Sequence, residues 1–142
     1  MKITGEKLMK AFEHSVVEYV EHEFIASFLQ MSGFRVVFDV ALKPGSRVLS
    51  VEIRNSQNLY EKLNLQKVYN VVTSEWLMKN GDGFTMFKDC EAKYLQIPIL
   101  DALTNHIKKS KVLNPSPVHE GRITVHNVFP LKKGVPPLHD NN

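Results

Sequence analysis

Hydrophobic and polar positions follow two different periods along this chain. Near the start, Leu8, Phe12, Val16, Tyr19 and Val20 recur every three or four residues, while Lys10, Glu13 and Glu18 fall opposite. That spacing predicts an amphipathic helix from a cap at Thr4 or Gly5 to about His22. Residues 34–42, FRVVFDVAL, are rich in β-branched and aromatic side chains and predict a strand. Lys43-Pro44-Gly45-Ser46 predicts a tight turn, because Pro presets φ and Gly accepts a positive one. Residues 47–54 then alternate, with Leu49, Val51 and Ile53 expected inward and Ser50, Glu52 and Arg54 outward. The two runs make a hairpin with one buried face.

Further on, residues 55–66 are polar and read as a loop, and 67–72 as a third strand. Thr73 or Ser74 caps a short helix through Lys79, stopped by Asn80-Gly81. Residues 83–88 read as a loop or short strand, and 89–96 fit no single element. Pro98 suits the first turn of a helix running to about Val112, with Ile99, Leu100, Leu103 and Ile107 expected inward. A last strand is expected at 121–126. Strands and helices mix without strict alternation, which argues an α+β fold, a mixed β-sheet flanked by helices. The folded domain is drawn at residues 1–126 and a disordered tail at 127–142, where no period appears from about Pro130 onward.

Composition narrows the class of function. The 142 residues, 43% of them hydrophobic, suit one domain with a core of its own. No apolar run approaches the ~20 residues of a membrane span. The net charge of +3 comes without a clustered basic face, so a nucleic-acid partner is not expected. Lys108, Lys109 and Lys111 read as the solvated, dipole-matched end of the last helix. The single cysteine, Cys90, excludes an internal disulfide and a CxxC motif, and reads as a small buried hydrophobe rather than a nucleophile. The first residues are charged and lack the apolar stretch of a signal peptide.

The candidate chemistry is sparse. Six histidines form no HxxxH or HExxH pair, and read as surface or singly hydrogen-bonded imidazoles. No metal site and no catalytic residue is expected. Asn80-Gly81-Asp82-Gly83 lacks the Lys and Ser/Thr of a phosphate loop. It reads either as a helix cap with a turn or as a backbone that approaches a ligand closely, with Asp82 offering its carboxylate to a vicinal diol. Trp76, six residues earlier, is either core or a stacking platform for a base.

Four stretches in register carry a family resemblance: KITGEKLMKAFEHSV, FLQMSGFRVVFDVALKPGSRV, VYNVVTSEWLMKNGDGFTMFKD and VHEGRITV. Together, across about residues 2–126, they resemble the C-terminal domain of the 5'-nucleotidase, apyrase and UDP-sugar hydrolase family. The resemblance implies a domain that grips a nucleoside between two aromatic rings, falling on Phe28 and Trp76, and holds the ribose through Asp82 between Gly81 and Gly83. It implies two divalent metals only in a separate N-terminal metallophosphoesterase-like domain, whose D-x-H and G-N-H-E motifs are missing from these residues. The NGGGIR-like loop that precedes the family's first helix is missing as well, and Asn80 stands where the family's GGDG motif has glycine.

The expectation is therefore an isolated, non-catalytic domain, at most a weak purine nucleoside- or nucleotide-binding module without cofactors of its own. Two alternatives stand beside it: the substrate-binding part of an active nucleotidase or apyrase, and a protein-interaction factor that kept the fold without the chemistry and binds a host protein. The resemblance also implies a secreted, unanchored relative of the type that blood-feeding arthropods release in saliva.

Overall fold

The computed structural model describes residues 1–19, 26–109 and 121–128. The expected end of the first helix, residues 110–112 of the last one and the tail from residue 129 lie outside the described residues. The elements run β1 (Lys2–Thr4), α1 (Gly5–Ser15), β2 (Phe34–Asp39), β3 (Val48–Arg54), β4 (Tyr60–Lys62), β5 (Val68–Asn70), α2 (Glu75–Met78), α3 (Ile99–Lys109) and β6 (Ile123–His126). A four-stranded mixed sheet has the order β4-β3-β2-β6, with β6 parallel to β2 and the other pairs antiparallel. A second, two-stranded sheet joins β1 to β5. The α+β reading holds.

Helix α1 begins where its free N–H groups find partners. Thr4 Oγ1 accepts from Lys7 N at 3.3 Å, and Gly5 N and Glu6 N donate to the carbonyls of Lys67 and Leu65. Gly5 is required here because a Cβ would run into the Asn64 carbonyl. The helix stops at Ser15, short of the expected His22. Its end is held by Arg47, whose guanidinium is buried and donates to the carbonyls of Val16, Val17 and Leu42. The Glu13 carboxylate accepts from the backbone N–H groups of Arg47 and Val48 at 2.9 and 2.8 Å. Glu13 thus ties the helix to the hairpin rather than facing solvent. Leu8, Phe12 and Val16 pack with Phe34, Val36, Phe38 and Val51 in one core that also holds Phe84 and Phe87.

Four expectations are corrected. Leu49 is 53% exposed, because the β2–β3 register slips between Val37 and Phe38. Val37 pairs with Ser50 and Phe38 with Val48, so the bulge at Leu49 turns that side chain outward and sends Val48 toward the core. The 55–66 loop contains β4, which extends the sheet beside β3. The third strand is shorter than 67–72 and pairs with β1, a strand too short to show a period. The apolar stripe of α3 is not buried: Ile99, Leu100, Leu103 and Ile107 are all exposed.

Candidate functional site

The site is assembled on the stretch from α2 to Phe87. Ser74 caps α2, its hydroxyl accepting from Leu77 N at 3.3 Å. The helix lasts one turn, and Asn80 leaves it in the left-handed region at φ 65°. Asn tolerates that conformation far better than a branched residue does. Asp82 follows at φ 51° and Gly83 at φ 80°. Two tight 3-10 turns, Gly81–Gly83 and Thr85–Phe87, then return the chain to the core. Phe84 is fully buried and stacks on Phe87 with ring centroids 5.4 Å apart. The loop carrying Asp82 is therefore short, left-handed at three positions and anchored on its far side by two buried rings.

Trp76, on α2, lays its ring against this loop. A Cβ on Gly81 would collide with the indole ring, so the glycine is what lets the ring settle against the backbone. The indole Nε1 donates to Asp82 Oδ2 at 3.2 Å. Trp76 is 64% exposed, so it is not a core residue and its ring lies at the surface. Asp82 is exposed beside it, with its carboxylate open to solvent.

Trp76, Gly81, Asp82 and Gly83 are thus brought together. Phe28 is placed elsewhere on the domain: it packs half-buried against the core, with Tyr19 and Phe38 as its ring neighbours at 6.0 and 6.4 Å. Sequence reasoning missed His14. Its Nε2 lies 2.7 Å from the Asp82 carbonyl, and its ring meets Phe84 edge-on at 4.7 Å. A lone histidine on a polar helix face carries no signal for this; only the tertiary fold brings residues 14 and 82 together.

Cys90 is half-buried and free, with Lys7 Nζ 3.7 Å from its sulfur, so a cation does stand beside this thiol. Among the described residues no group of three or more His, Cys, Asp or Glu side chains is placed to hold a metal ion. No helix among the described residues is long and apolar enough to cross a membrane.

Known proteins are similar to this chain in sequence and fold. Residues 1–89 match the family model described as 5'-nucleotidase, C-terminal domain, and the chain belongs to that family. The chain is 39% identical over 127 residues to a 5'-nucleotidase of Bos taurus, covering 87% of this chain and 21% of that protein. It is 35% identical over 128 residues to an apyrase of Tabanus yao, covering 87% of this chain and 23% of the apyrase. A crystal structure of a 5'-nucleotidase precursor from Thermus thermophilus superimposes with a TM-score of 0.80 at 31% identity, over 89% of this chain and 24% of that one. The chain spans about a fifth of the length of the relatives it matches.

Proposed function

We propose that this domain is a non-catalytic module that binds the nucleoside part of a purine nucleoside or nucleotide, with the base on Trp76 and the ribose hydroxyls at Asp82. The carrying observation is the solvent-open pairing of the Trp76 ring with the Asp82 carboxylate on one anchored loop. A flat π-face stacks any base at about 1–3 kcal/mol per base. A carboxylate accepts hydrogen bonds from two neighbouring hydroxyls. Phe28, the second ring that the family resemblance implies, packs with Tyr19 and Phe38 and is left out of this reading. One platform and one carboxylate support millimolar rather than tight binding.

Trp76 is the only tryptophan, so its fluorescence reports the site directly. Adenosine should quench it saturably in the millimolar range, and Asp82→Ala should weaken the response. No saturable change up to the solubility limit would refute the reading. The non-catalytic part has its own test. The 142-residue chain should release no phosphate from AMP, ADP or ATP with added Zn, Mn, Ca or Mg. Metal-dependent turnover that survives repurification would refute it.

A second reading, the nucleoside-binding part of an active nucleotidase or apyrase, draws support from the uncovered apolar stripe of α3, since contiguous exposed apolar surface marks places where another protein surface packs. Its test is a chain in which a metallophosphoesterase domain precedes this one: AMP hydrolysis should be present and should fall on Asp82→Ala. An extracellular setting is part of the proposal, supported by the likeness to an apyrase, and secretion of the epitope-tagged parent protein into medium would test it.

A further inference from the structure

Asp82 is held at two points. Its carboxylate accepts from Trp76, and its main-chain carbonyl faces His14 Nε2 at 2.7 Å. A carbonyl can only accept, so Nε2 carries the proton and donates. We infer that His14 is a positioning residue for the ligand loop: it fixes the Asp82 peptide and so aims the carboxylate at the ribose. This rests on the nucleoside-binding reading above.

Three observations converge on it. First, Asn80 and Asp82 are non-glycine residues held at φ 65° and 51°, a conformation that costs free energy and persists only where the surroundings fix it. The His14 bond is such a restraint, acting at the residue that is strained. Second, the loop is built around the imidazole. A Cβ on Gly83 would come to 3.0 Å from both His14 Cε1 and Nε2, so the glycine leaves room for this ring as well as supplying φ 80°. Third, the ring is itself oriented by its edge-on contact with the buried Phe84. His14 stands one residue from Glu13, which binds the hairpin backbone. The last turn of α1 thus couples the main sheet to the ligand loop through two adjacent side chains.

The experiment uses the full 142-residue chain in four forms: parent, His14→Ala, His14→Gln and Asp82→Ala. Gln carries an amide N–H of nearly the same reach as Nε2. Two readouts are taken: the Trp76 indole Nε1–H resonance without ligand, and adenosine affinity by fluorescence. The Asp82→Ala spectrum marks where the indole resonance lies once its acceptor is gone. His14→Ala should move the resonance toward that position and weaken adenosine binding about five-fold, the effect of one hydrogen bond. His14→Gln should restore both.

A merely structural role would lower the melting temperature and leave both readouts at parental values in the folded protein. That result would overturn the inference. Should His14→Ala fail to fold, His14→Gln decides: a parental resonance supports the inference, and a resonance at the Asp82→Ala position overturns it. Should the parent bind no adenosine, the functional reading falls, and the ligand-free indole resonance alone still decides on His14.

Discussion

The indole N–H of Trp76 and the carboxylate of Asp82 meet at 3.2 Å across the glycine-lined loop, with Gly81 directly beneath the ring. The ring's position therefore depends on the absence of a single methyl group. Gly81→Ala should push the indole off the loop and break its bond to Asp82. Because Trp76 is exposed, the core should be unaffected and the melting temperature should fall by only a few degrees. The Trp emission maximum should shift and adenosine quenching should be lost. Unchanged emission and quenching would show that the ring does not rest on Gly81.

Arg47 is the most buried charged residue described, and it has a job that no hydrophobic residue can take over. Its guanidinium donates to three backbone carbonyls, two of them at the end of α1. Arg47→Met would fill similar volume but break all three bonds; the Val16 carbonyl keeps Tyr19 N as a donor, while those of Val17 and Leu42 lose the guanidinium, at about 1–3 kcal/mol for each group that water cannot reach. The expected loss is at least ~2 kcal/mol, a melting point lower by roughly 5–10 °C in a domain of this size. A thermal melt within 2 °C of the parent would mean that water replaces the guanidinium.

What could be read from the residues, and what could not, follows from the range of the interactions. Helix α1, the hairpin and the short capped helix α2 rest on local periods and caps, and the Trp76–Asp82 pairing on residues six apart; all four were legible. Three features were not. The end of α1 is set by Arg47, thirty-one residues beyond Val16, and no local pattern announces it. β1 and β4 have three residues each, too few to display alternation, and exist through their partners Val68–Asn70 and Glu52–Arg54. The stripe of α3 has the period of a packed helix, yet no described element covers it. Amphipathicity shows that a face seeks a partner, not that the partner belongs to the same domain.

Two surface pairs predict how stability responds to pH. A hydrogen bond from Lys10, with its charge, holds the Glu6 carboxyl below the usual range. Its contribution is present above the ordinary carboxylate value and fades as pH falls through the lowered one. The hydrogen bond to Glu75, with that group's charge, raises Lys79. Its contribution is present below the ordinary lysine value and fades as pH rises through the raised one. Neither the Glu6 nor the Lys79 contribution should change between about pH 6 and 9, a window above the lowered carboxyl and below the raised lysine. Both are solvent-exposed pairs four residues apart, so the effects are small and screened by salt. Comparing the parent with Glu6→Gln, the difference in melting temperature should shrink below pH 4 and in 1 M NaCl. A difference that grows toward acid would contradict the assignment.

Leu49 and Val51 are two residues apart on one strand, and simple alternation would put both side chains on the same face. The bulge separates them: Val51 is 3% exposed opposite Val36, while Leu49 is 53% exposed. The two substitutions Leu49→Asp and Val51→Asp therefore test the register as a pair, with the same new side chain at both sites. At Val51 the carboxylate would be buried among Val36 and the aromatic core without a partner, at a cost of several kcal/mol, comparable to a whole domain's stability of roughly 5–15 kcal/mol. That variant should be unfolded or near its midpoint at room temperature by circular dichroism. At Leu49 the carboxylate points into water, and the loss should stay below about 1 kcal/mol, the usual range for a surface change plus lost β-propensity. If both variants unfold, Leu49 is an inward residue and the bulge is absent. If neither does, the hairpin's packed face lies on the opposite side, with Ser50 and Glu52.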